Sequence, residues 1–416
     1  SVTEENIMFA LRNLLGINIE TTLNYYGSKI ALYFHYRSFY LKTLLFVGFI
    51  IWILDWARSA AAGAASGIGE AVESNLMIIS CYIIAVWSFI FFETWKRDER
   101  RYAVKFGQEK YLLADKQRTN FRSRYIRDVA NSNPNALEDR KKRRRCIMII
   151  SLLISLGIII LSVASVFGIL YLKYALQKSG TAQFWQDNIP VIVDIIRIAV
   201  FDAIYSIFLR ISNRMENHKY RSTYEKSFIL KYFSFVFMNN FVSFFIIVFI
   251  KGNVNLEFLA NCENYENDSK ACFRELSTQV QGIFALKTIF SSVLELVIPW
   301  ATIKFRLRKR FEVRDYEWAN VDLKIMTEDK WEGFDENEDI EGTIELMTRV
   351  FLQMSYLILF GISYSFGFIL AILFNIIGIH VAKIKLCYLT KRPIPKISGS
   401  INSWNSIFSV LTFIEP

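Results

Sequence analysis

Apolar stretches of roughly 20 residues, long enough for a helix to cross about 30 Å of hydrocarbon, recur along almost the whole chain. They constrain its fold more than any other feature. They fall near residues 39–56, 75–93, 146–174, 189–209, 228–250, 279–302, 346–366 and 367–386. Inside lipid each backbone N–H and C=O must be satisfied within its own segment, so stretches of this kind become helices. The pattern predicts an all-α fold: a polytopic transmembrane helical bundle of about eight spans. A further apolar stretch begins at Trp404 and meets the chain end at Pro416, a partial ninth span. Composition agrees, since 53% of the residues are hydrophobic and 36 of the 416 are Phe, above the roughly 45–50% apolar share of soluble domains.

The spans divide the chain into one membrane domain with two sizeable polar inserts. A short N-terminal segment (1–33) precedes spans one and two (34–95), a basic loop (96–145), spans three to five (146–250) and an acidic outer loop (251–278). Span six (279–302), a charged inner loop (303–344), spans seven and eight (345–386) and a C-terminal segment with the partial span (387–416) follow. The basic loop carries 17 Lys or Arg, among them Arg140, Lys141, Lys142, Arg143, Arg144 and Arg145 directly before the third span. By the positive-inside rule it faces the cytosol, or the matrix of a mitochondrion. The linkers 210–226, 304–314 and 383–396 are basic as well and alternate onto the same side, whereas 251–278 has three basic residues against five acidic ones. A polybasic cluster beside a span also attracts anionic lipid headgroups. No folded platform of aromatic and base-reading groups is visible, which argues against nucleic acid as a partner. No signal or transit peptide stands at Ser1, so the plasma membrane, the endoplasmic reticulum and the mitochondrial inner membrane all stay open.

Cys81, Cys146 and Cys387 lie in or beside spans and read as small buried hydrophobes. Cys262 and Cys272 share the acidic outer loop, where an oxidising compartment would permit a disulfide. Asn267-Asp268-Ser269 in that loop fits the glycosylation sequon. Residues 328–341 hold eight carboxylates, and Asp335 to Asp339 begin like an EF-hand loop. Ile340 stands where that loop needs Gly and Leu346 where it needs Glu, so a solvated acidic linker is the expectation. No nucleophile–base pair, phosphate loop or Cys/His metal cluster is present in the sequence, which points away from an enzyme and from a cofactor.

Several motifs occur in an order that resembles the anoctamin family of lipid scramblases and ion channels. They are Tyr25-Tyr26-Gly27-Ser28-Lys29 at the first span, Phe92-Glu93-Thr94-Trp95-Lys96-Arg97 at the end of the second, and Glu216-Asn217-His218 with Tyr224-Glu225-Lys226-Ser227 between spans four and five. Asn239, Lys251-Gly252 and Lys391-Arg392-Pro393 extend the match. Set against the family pattern, the large amino-terminal domain is nearly absent and the last two spans are missing, which removes the basis for expecting the family-type homodimer.

The resemblance implies a site for two calcium ions between spans six, seven and eight. Ser291 to Glu295, followed by Pro299, matches the sixth-span motif and keeps one acid, Glu295. The seventh-span acids fall on Leu346 and Arg349, and the eighth-span pair on Gly378 and Ala382, near His380. Calcium is therefore not expected at the family site, and a Glu295–Arg349 ion pair is expected in its place, with snorkelling of Arg349 as the alternative. Other ionisable residues in spans are Asp194, Arg197 and Asp202 on the fourth and Lys287 on the sixth; they mark either a polar pathway or a packed interior. Lys287, Ser291 and Glu295 repeat at spacing four. The expected function is a structural or accessory subunit of a membrane complex with other protein subunits as partners; the alternative is a calcium-independent scramblase or anion channel.

Overall fold

The computed structural model describes residues 19–62, 67–108, 135–180, 182–251, 271–311, 332–333, 342–391, 393, 395, 398, 400–401 and 403–414. Helices dominate: α1 (Ile19–Tyr26), α2 (Ser28–Ala62), α3 (Gly67–Lys105), α4 (Asn135–Lys178), α5 (Gln183–Met215), α6 (Arg221–Phe245), α7 (Ala271–Phe311), α8 (Gly342–Phe360), α9 (Gly367–Ile384) and α10 (Ser403–Ile414). A π-helical turn prolongs α6 through Ile246–Ile250 and α9 through Lys385–Leu389. Glu332–Gly333 and Thr390–Lys391 form a two-residue parallel bridge.

Six helices among the described residues are long and apolar enough to cross a membrane: Ser28–Ala61, Val72–Lys105, Arg145–Lys178, Arg221–Ile250, Gly342–Phe360 and Gly367–Cys387. The expected fourth and sixth spans coincide with the long helices α5 and α7, which are not among those six. Asp194, Arg197 and Asp202 lower the apolar character of α5 and set it apart from those six. Many helices turn apolar surface outward; Phe46, Phe49, Trp52 and Trp56 on α2 and Leu152, Leu153, Ile160 and Leu161 on α4 are exposed, as lipid-facing positions are. The thiols of Cys81, Cys146 and Cys387 are free and exposed rather than buried; Cys387 Sγ lies 3.4 Å from Tyr26 Oη of α1.

The chain forms two compact units, residues 1–112 with 284–416, and residues 113–283. In the first, α1 turns into α2 at Gly27, whose φ of 87° is a conformation glycine adopts without steric cost. An aromatic core joins α2, α3, α8 and α10: Tyr36 stacks on Phe351 at 5.4 Å, Phe351 on Trp404 at 4.8 Å, and Phe92 meets Phe408 at 4.8 Å. Glu99 of α3 accepts hydrogen bonds from the Ile401 amide at 2.5 Å and from Asn405 Nδ2 at 2.7 Å, which ties α10 to α3. In the second unit, Val166 and Leu170 of α4 pack with Val242 and Ile246.

Candidate functional site

Helices of the second unit converge on one arginine. Asp194 and Arg197 lie three residues apart on α5, hence on one face, and Arg197 Nε donates to Asp194 Oδ1 at 2.7 Å. Its Nη1 donates to Ser162 Oγ of α4 at 3.0 Å and to Asn239 Oδ1 of α6 at 2.9 Å, and its Nη2 to the Asn239 carbonyl at 3.0 Å. Asn239 Nδ2 continues to Asp202 Oδ1 at 2.8 Å and the Ile198 carbonyl at 3.1 Å. Gln279 of α7 reaches Asp194 Oδ2 at 3.4 Å. Asp194 is fully buried and Arg197 nearly so. A buried charge is tolerable when paired and hydrogen-bonded, and here one guanidinium bridges α4, α5 and α6.

A second junction closes the α5–α6 corner. Asn217 has a φ of 48°, in the left-handed region that Asn enters more readily than most residues, and this turn carries Glu216 inward. The carboxylate is fully buried. It pairs with Lys231, lies 2.9 Å from His218 Nε2 and accepts from Ser227 Oγ at 3.5 Å. Burial alone would push its pKa up, but hydrogen bonds from His218 and Lys231, the Lys231 charge and Ser151 outweigh burial and hold it at about 2. In the same unit the buried Glu275 of α7 accepts from Lys173 at 3.0 Å and from Lys251 at 2.5 and 2.6 Å.

In the first unit, Gly378 and Ala382 are buried on one face of α9, while His380 on the opposite face is exposed. Arg37 of α2 lies against Gly378: a methyl carbon added there would land on its Nη2 and stand 2.8 Å from Cζ. Arg37 is 9% exposed. Its Nη1 donates to Tyr33 Oη at 2.6 Å, and its Nε has no hydrogen-bond partner. Among the described residues no carboxylate stands within ion-pair distance of it. Arg349 of α8 donates to Glu345 Oε1 at 2.9 Å in a largely exposed i,i+4 pair.

The structure therefore joins Asp194, Arg197 and Asp202 in one network and leaves Lys287 half-buried on α7. The side chains of Ser291, Glu295, Cys272 and Arg140 to Arg144 lie outside the described residues, as does Cys262 altogether, so the expected Glu295–Arg349 pair, the disulfide and most of the basic cluster fall there. Arg145 is exposed. Among the described residues no group of three or more His, Cys, Asp or Glu side chains is placed to hold a metal ion. Sequence reasoning missed Arg37, Glu275 and the part played by Ser162. The signal for Arg37 was available, as a lone cation among aromatic residues at the entrance to the first span.

A model of the family described as "Anoctamin: Calcium-activated chloride channel" matches residues 23–414. The chain is 22% identical to Anoctamin-7 of Homo sapiens over 452 residues, which covers 94% of this chain and 47% of that protein. It is 23% identical to Anoctamin-10 of Mus musculus over 414 residues, covering 95% and 56% respectively. Against Anoctamin-5 of Homo sapiens the identity is 22% over 455 residues, covering 92% and 48%. The chain spans about half the length of the curated relatives it matches.

Proposed function

Because the chain belongs to the anoctamin family, we propose that it serves as a calcium-independent structural subunit of a larger membrane complex, with no catalytic role. The Arg197 network carries this reading. Ionisable groups in a span mark a pathway when they face water, whereas Asp194 and Arg197 are buried against each other, Ser162 and Asn239. They bind helices together.

Loss of calcium follows from the residues at the family's ligand positions. Calcium takes about six to eight oxygens. Gly378 and Ala382 have no side-chain oxygen, and Leu346 and Arg349 stand where α8 would supply carboxylates. On the basic face, Arg140 to Arg145 would hold anionic headgroups.

The second reading, constitutive lipid or anion conduction, draws on α7. That helix is continuous from Ala271 to Phe311, so Lys287, Ser291 and Glu295 share one stripe.

Purification from the native membrane in mild detergent separates the two. A structural subunit arrives in fixed stoichiometry with other chains and, reconstituted alone, moves neither labelled lipid nor chloride. A chain that arrives alone and conducts in liposomes belongs to the second reading.

A further inference from the structure

We propose that Arg37 is a tethered cation seated on the backbone of α9 at Gly378, so that the α2–α9 contact is filled by a resident positive charge and has no room for a metal ion there. The close approach favours glycine, since a side chain at 378 would displace the guanidinium from its seat. Any β-carbon at 378 would overlap the guanidinium, and α9 runs helically through this point, where glycine otherwise costs about 1 kcal/mol relative to alanine.

The charge is unusually bare. A buried guanidinium is ordinarily matched by a carboxylate or by hydrogen bonds to most of its five N–H groups. Among the described residues Arg37 has one hydroxyl partner, Tyr33, and a free Nε. Three residues on, Tyr40 is fully buried and its hydroxyl likewise has no partner among the described residues. On α9, one turn before Gly378, the Asn375 side-chain oxygen is also buried without a donor. A fixed cation beside Gly378 would repel a divalent ion from that part of α9. This metal-excluding role rests on reading Gly378 as a vacated ligand position; the packing of Arg37 on glycine does not.

The test is a double-mutant cycle on the full chain, read by thermal unfolding in detergent. Gly378→Ala should lower the midpoint by roughly 2 °C in the wild-type background, because the new methyl group and the guanidinium compete for one space. In the Arg37→Ala background the same substitution should leave the midpoint unchanged or raise it. An equal drop in both backgrounds would show that Gly378 serves some other neighbour and would overturn the proposal. Calcium chloride should not move the wild-type midpoint; a rise that persists when the carboxylates of 328–341 are changed to amides would overturn the metal-excluding role. Neither readout depends on transport, so conduction in liposomes would sink the structural-subunit reading and leave this proposal standing.

Discussion

The two units bury an arginine in opposite ways. Arg197 in the second is surrounded by acceptors from three helices and has a carboxylate at 2.7 Å. Arg37 in the first has one hydroxyl and a glycine backbone. The first arrangement ties helices together through interactions that depend on both partners. In the second a charge is tolerated, and its contribution lies in the space it fills and the ions it keeps away. Buried charge is therefore no single kind of evidence, and its partners decide what it does.

Removing the guanidinium should make the contrast plain. Arg197→Leu leaves the buried Asp194 without its cation and should cost about 3–5 kcal/mol, read as a large fall in the unfolding midpoint. Glu216→Gln comes next, at on the order of 2–3 kcal/mol, since it leaves Lys231 and His218 without their shared anion. Because the folded pKa of Glu216 is depressed to about 2, its contribution is present above the unfolded value near about 4.3 and is lost as pH falls from there toward 2. An acid titration of stability should lose that component in the Gln variant. Arg37→Ala should cost about 1 kcal/mol or less, because the packing it loses is offset by relief of an unpaired charge; a cost equal to that of Arg197→Leu would erase the distinction.

Helix positions were readable because hydrocarbon thickness sets span length: α9 matches the expected eighth span to within two residues, whereas α8 lies four to six residues before the expected seventh. The Asp194–Arg197 pair was legible too, since spacing three on one helix is a local property. What Arg197 reaches on α4 and α6 was not, because Ser162 and Asn239 are ordinary span residues until tertiary packing brings them together. Arg37 escaped for a different reason. The apolar run suggested a first span starting at residue 39, whereas α2 begins at Ser28, which places Arg37 nearly three turns into the helix. No sequence pattern announces that a glycine on α9 is shaped for it. The exposed thiols show the converse limit: apolar surroundings in sequence do not separate a protein core from an exposed surface.

Scrambling of headgroup-labelled lipid by the purified chain in liposomes, at zero and at millimolar calcium, bears most directly on the claim of a calcium-independent structural subunit. The account predicts rates equal to those of empty vesicles in both conditions. Scrambling that appears only with calcium would contradict it and would mean that residues other than Gly378, Ala382, Leu346 and Arg349 supply the ligands.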